Sequence, residues 1–109
     1  MENIVFLVQG SAKNPYKVEF HKKGNNITAK CDCKAGSLGQ HCKHRINIIK
    51  GLKTKIVSDN SEQVDTIQQW LEGSLLLDSY KEYVAADKKL KKAKKEFDSA
   101  KAEFVNNLR

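Results

Sequence analysis

Residues 31–44 read Cys31-Asp32-Cys33-Lys34-Ala35-Gly36-Ser37-Leu38-Gly39-Gln40-His41-Cys42-Lys43-His44. They contain all three cysteines of the chain, in the order Cys-x-Cys-x8-Cys-x-His. Three thiolates and one imidazole are the donor set that suits a tetrahedral Zn²⁺, and four protein ligands close the site to chemistry. One structural Zn²⁺ on Cys31, Cys33, Cys42 and His44 is therefore expected, with His41 as the alternative fourth ligand. An odd number of cysteines fits metal binding better than disulfide bonding.

The spacing within each ligand pair sets a local requirement. Cys31 and Cys33 are two apart at the end of a strand, where period-two geometry sends both thiols to one face. Cys42 and His44 are also two apart, and within one regular helix they would point nearly opposite ways. Cys42 must then sit in the turn entering the helix, with His44 in its first turn. Helix amides would face the thiolates there and favour their charge.

Working outward, Ile4-Val-Phe-Leu-Val8 is an apolar run of strand type. Gly10–Pro15 reads as a loop. Tyr16, Val18 and Phe20 alternate with Lys17, Glu19 and His21, a half-buried strand that leaves His21 on the solvated face. Gly24-Asn25-Asn26 supplies a hairpin turn, and Ile27, Ala29 and Cys31 mark the returning strand. Gly36–Gly39 is expected as a loop. A helix over 41–50 follows, with Ile46 and Ile49 inward and Gly51 as its stop. Ser61 is expected to cap a short helix over 62–72, with Val64, Ile67 and Leu71 inward and Gly73 at its end. Trp70 is expected as an anchor between that helix and the metal domain. The fold class is α+β, with residues 1–55 as the metal domain and 61–109 as a helical region.

From Ser74 to Arg109 no Gly or Pro interrupts a helical pattern. Tyr83, Leu90, Phe97 and Phe104 recur every seven residues, and Ala86, Ala93 and Ala100 follow the first three by three. That is the narrow seam of a coiled coil. A helix over 62–72 could cover only about a third of a helix roughly 50 Å long. Residues 74–109 are therefore expected to associate with a second copy or a partner protein.

The formal charge of +7 is placed unevenly. Residues 1–60 hold eleven Lys/Arg against four Asp/Glu, and residues 61–109 hold nine of each. A basic half attracts polyanions, so Lys22, Lys23, Lys34, Lys43, Arg45 and Lys50 are candidate nucleic-acid contacts. With a single arginine in that half, sequence preference would be weak, since lysine meets phosphate as a point charge. A solvated surface, or a basic face meeting an acidic protein, are the other readings. No enzyme is expected: Cys42 and His44 are sequence neighbours without an orienting third group. No small-molecule substrate is implied. No apolar run reaches the length of a membrane span, and the N-terminus lacks the features of a signal peptide, so a cytoplasmic protein is expected.

The ligand pattern resembles the SWIM zinc finger, whose signature is Cys-x-Cys, a spacer, then Cys-x-His. The resemblance includes Cys33-Lys34-Ala35-Gly36, Gly39-Gln40-His41-Cys42-Lys43-His44 and the preceding hairpin, so it covers about residues 16–50. It implies a two-stranded hairpin and a helix with zinc between them, in a small stand-alone member of bacterial or phage type. SWIM modules accompany Mutator-type transposases, chromatin-remodelling ATPases and some ubiquitin-pathway kinases, and are assigned to DNA or protein binding. The helix over 74–109 lies outside the resemblance.

Overall fold

Apolar residues at every second position of three successive strands build one face of an antiparallel sheet in the computed structural model, which describes residues 2–109. Strands β1 (Glu2–Val8), β2 (Tyr16–Lys23) and β3 (Asn26–Cys31) are ordered β1-β2-β3. Four helices follow, α1 (Lys34–Ser37), α2 (Lys43–Ile49), α3 (Val64–Leu71) and α4 (Leu75–Asn107), with a 3₁₀ turn over Ser61–Gln63 before α3. This is the expected α+β class. The described residues through Leu77 form one compact unit and Asp78–Arg109 form another.

Register explains which side chains meet. Ile4 pairs with Phe20 and Phe6 with Val18, while Phe20 pairs with Ala29 and Val18 with Cys31. One continuous apolar face results, and it carries Cys31 at its corner. Phe6 and Phe20 meet edge to face, centroids 6.3 Å apart, a favoured aromatic geometry. The β2–β3 turn is the two residues Gly24-Asn25, with Lys23 opposite Asn26 and Gly24 at φ +61°. Positive φ at the first turn position alone matches a type II′ hairpin, which suits strand twist. Asn26 thus belongs to β3 rather than to the turn.

Helix α2 packs on α3 and β3. Val64, Ile67 and Leu71 of α3 are fully buried, as their spacing predicts. Gln68 Nε2 donates to the carbonyls of Ile48 and Ile49 at 3.0 and 3.1 Å. Both belong to the last turn of α2, whose carbonyls run out of intrahelical partners, and Ile48 O also accepts from Gly51 N at 2.9 Å. Gly51 ends α2 at φ +86°.

The outer edge of β1 is closed by the segment after α2. Val57 N donates to Leu7 O and Gln9 N to Lys55 O, both at 2.8 Å, while Leu7 N donates to Ser58 Oγ and Asn60 Nδ2 to Val5 O. A bare strand edge would template further pairing, and here it is occupied from Val5 to Gln9.

Several local expectations change. Gly36–Gly39 is not simply a loop, because residues 34–37 form the one-turn helix α1. Ile48 rather than Ile46 joins Ile49 in the core, since α2 starts at Lys43 and its inner face rotates accordingly. Ser61 lies inside the 3₁₀ turn, and Asn60 takes the cap position ahead of it. His21 is not fully solvated: its Nδ1 lies 2.8 Å from Asn3 Oδ1, and Nε2 faces Glu19 Oε1 at 3.3 Å without hydrogen-bond alignment. Trp70 is half-buried, with the Lys22 ammonium 5.9 Å from its ring centroid, a cation–π distance.

Ser74 starts α4. Its Oγ accepts from Leu77 N at 3.1 Å and donates to Leu71 O at 2.7 Å. No residue of α4 is buried. Among the described residues no helix is long and apolar enough to cross a membrane.

Candidate metal centre

The strand end and the helix start bring the four expected ligands together. Cys31 is the last residue of β3, Cys33 the N-cap of α1, Cys42 the N-cap of α2, and His44 lies in the first turn of α2. All four are buried, and one donor atom from each lies within 4.8 Å of every other. Cys33 Sγ is 3.4 Å from Cys42 Sγ, and His44 Nδ1 is 3.6 Å from Cys42 Sγ and 3.8 Å from Cys31 Sγ. His41 is exposed and outside this cluster, so His44 supplies the imidazole.

Backbone amides line the sulfurs. Gly36 N donates to Cys33 Sγ at 3.3 Å, because α1 wraps its first turn around its own cap. Burial pushes the Cys31 thiol up to about 12, against the pull of the Cys33 amide. Burial also opposes ionisation of Cys42. The amides of Arg45 and His44 and the neighbouring sulfurs outweigh it, and its thiol lies below the usual value. Those amides act on Cys42 through their fields, since no capping bond of standard geometry forms there. Burial, then the charges of Lys43 and Lys55, hold His44 below the usual imidazole range, in the neutral form a metal needs. A metal ion bound there would supply the compensation that ionising these buried thiols otherwise lacks.

Three residues support the centre without being legible as parts of it. Gly36 lies so close to the Cys31 backbone that a Cβ there would meet the Cys31 Cβ at 2.8 Å. Tyr16 packs its ring on His44 at 4.8 Å between centroids. Gly10 sits over both, where a Cβ would come 3.0 Å from His44 Nε2. The available signals were Gly36 at three residues past Cys33 and Tyr16 on the inward register of β2.

The candidate nucleic-acid contacts scatter into two groups. Lys23, Lys34, Lys43 and Lys50 are exposed. Lys22 is half-buried over Trp70. Arg45 is half-buried too, with Nη1 donating to Ala29 O at 3.1 Å and Nη2 to Gln40 O. Its guanidinium ties α2 to the free edge of β3 and to the loop before Cys42. The seam residues Tyr83, Ala86, Leu90, Ala93, Phe97, Ala100 and Phe104 are all exposed along α4.

No protein-family model, curated protein or solved structure matches the chain.

Proposed function

We propose that the chain is a non-enzymatic zinc-dependent binding module of SWIM type. One structural Zn²⁺ draws Cys31, Cys33, Cys42 and His44 together, the basic half meets nucleic acid with low sequence preference, and the C-terminal helix associates with another helix. The observation that carries this reading is the spacing of the buried donors. Zinc bonds of about 2.3 Å to sulfur and about 2.0 Å to nitrogen give tetrahedral edges of roughly 3.5 Å between sulfur and nitrogen and roughly 3.8 Å between sulfurs, and the donor pairs at 3.4, 3.6 and 3.8 Å lie close to those lengths. A closed set of four protein ligands leaves no position for substrate, which favours a structural role over catalysis.

Stoichiometric zinc in reduced, natively purified protein tests the first part, and its absence from material with intact thiols would refute it. Fluorescence anisotropy with random-sequence duplex DNA tests the second. Affinity should fall steeply between about 50 and 200 mM salt and drop when Lys34 and Lys43 become Glu. No binding at low salt would refute it.

A second reading is a protein-interaction adaptor without nucleic-acid affinity. It is favoured by the engagement of Arg45 with two backbone carbonyls and of Lys22 with Trp70. Both leave fewer cations free for phosphate. Capture of an acidic protein by the finger, with no DNA affinity, would distinguish it.

A further inference from the structure

Helix α4, taken by itself, carries Tyr83, Leu90, Phe97 and Phe104 in one line, each 49–68% exposed. We propose that this line pairs with α4 of a second copy of the chain, with the two helices antiparallel. The inference deepens the associating role proposed for the helix and rests on it.

Shape selects the direction. In a parallel, in-register pair each seam residue meets its own counterpart. Phe97 would face Phe97, and Ala93 would face Ala93. Bulky layers would hold the helices apart and leave voids at the alanine layers between them, and unfilled contact surface forfeits dispersion energy. Reversing one helix sets three of the four large residues against an alanine, Tyr83 against Ala100, Phe97 against Ala86 and Leu90 against Ala93, and sets Phe104 against Ser79. Every layer then has similar volume, and the helix separation stays constant.

Charge selects the same direction. One flank of the line carries Glu82, Lys89, Glu96 and Glu103, and the other carries Asp87, Lys94 and Lys101. Residues flanking a seam set partner choice and orientation. In the parallel pair opposite flanks meet five residues apart, giving Glu82 against Asp87 and Lys89 against Lys94, with only Glu96 against Lys101 of opposite sign. In the antiparallel pair each flank meets itself. Lys89 then faces Glu96 and Asp87 faces Lys94, with only Glu82 against Glu103 of like sign. Asp87 already bonds Lys91 of its own helix at 3.0 Å, and its side chain stays 38% exposed, open to a second cation.

A second copy is the committed occupant because the seam complements itself. Both the alternation of large and small residues and the alternation of charge are matched by the same helix reversed, as a two-fold interface requires.

The test is sedimentation equilibrium of the metal-loaded full chain at low salt. The parent chain should dimerise. Lys89→Glu should weaken the dimer at least about threefold, since it turns two attractive contacts repulsive. Adding Glu96→Lys to that variant should restore the dimer. In a parallel pair Lys89→Glu would instead strengthen association, by facing Lys94, and that result overturns the proposed direction while leaving the helix its associating role. A parent chain that stays monomeric at millimolar concentration overturns the second copy as occupant, whether or not the helix binds a different protein. Leu90→Lys, at an exposed position, should abolish the dimer with zinc content unchanged, and a persisting dimer also overturns the proposal.

Discussion

Gly36 donates its amide to Cys33 Sγ at 3.3 Å while its Cα sits against the Cys31 backbone, so one residue without a side chain serves two of the candidate metal ligands. A β-carbon at that position would push on a Cβ and a carbonyl that cannot swing away. Gly36→Ala should therefore weaken zinc binding, by about tenfold or more, from an overpacking strain of about 1–3 kcal/mol. Competition with a zinc-responsive chelating dye measures it. An unchanged affinity would mean that α1 can shift freely.

Zinc removal should loosen the ligand loop without dissolving the fold. The structure fully buries Phe6, Phe20, Ile48, Ile67 and Leu71 in an apolar core. Each such side chain contributes about 1.5–3 kcal/mol on burial. On chelation, amide exchange should accelerate at residues 33–42 and stay slow at Phe20 and Ile67. Global exchange would show that the apolar core cannot stand without the ion.

The metal-free chain should be most stable between about pH 6.5 and pH 9. His44 is depressed when folded, so its contribution is complete above the unfolded value of 6.5 and is lost as pH falls through the folded value. Cys31 is raised from 9.0 to about 12, so its contribution is complete below pH 9 and fades as pH rises toward 12. Cys42, whose folded value is lowered, contributes stability that grows as pH rises toward 9, so stability should climb toward pH 9 before Cys31 brings it down. Thermal melts in the presence of a chelator across this range check the shape.

Arg45 and Lys43 lie two residues apart, on either side of His44, and should behave oppositely. Lys43 is exposed, and Lys43→Ala should leave stability within about 0.5 kcal/mol of the parent chain. Arg45→Ala releases the carbonyls of Ala29 and Gln40, and should destabilise by about 1–3 kcal/mol. Denaturant titration of both variants separates a structural tie from a surface cation. Equal midpoints would place Arg45 with the free lysines.

Gln68→Ala should destabilise by about 1 kcal/mol, because the Ile49 carbonyl at the end of α2 loses its donor while the Ile48 carbonyl is left with Gly51 N. The same titration detects it. Gln68→Glu should be at least as harmful, since a carboxylate would face those oxygens.

Residue order alone was enough for the strands, the hairpin, the burial of Val64, Ile67 and Leu71, and the four residues that cluster as a candidate metal centre. Each of these rests on local periodicity, on turn chemistry, or on ligand spacing within fourteen residues. The requirement that Cys42 precede its helix was also legible, because two residues along a helix cannot face one ion. Contacts between residues distant in the chain became visible only in the folded molecule. The charge of Arg45 pointed to solvent, but Ala29 on β3 and Gln40 before Cys42 captured its guanidinium. Gln68 carried no signal as a cap for α2, twenty residues away from Ile48. The closure of β1 by residues 55–60 was equally silent, since polar loop residues reveal their partners only once the edge they seal is beside them.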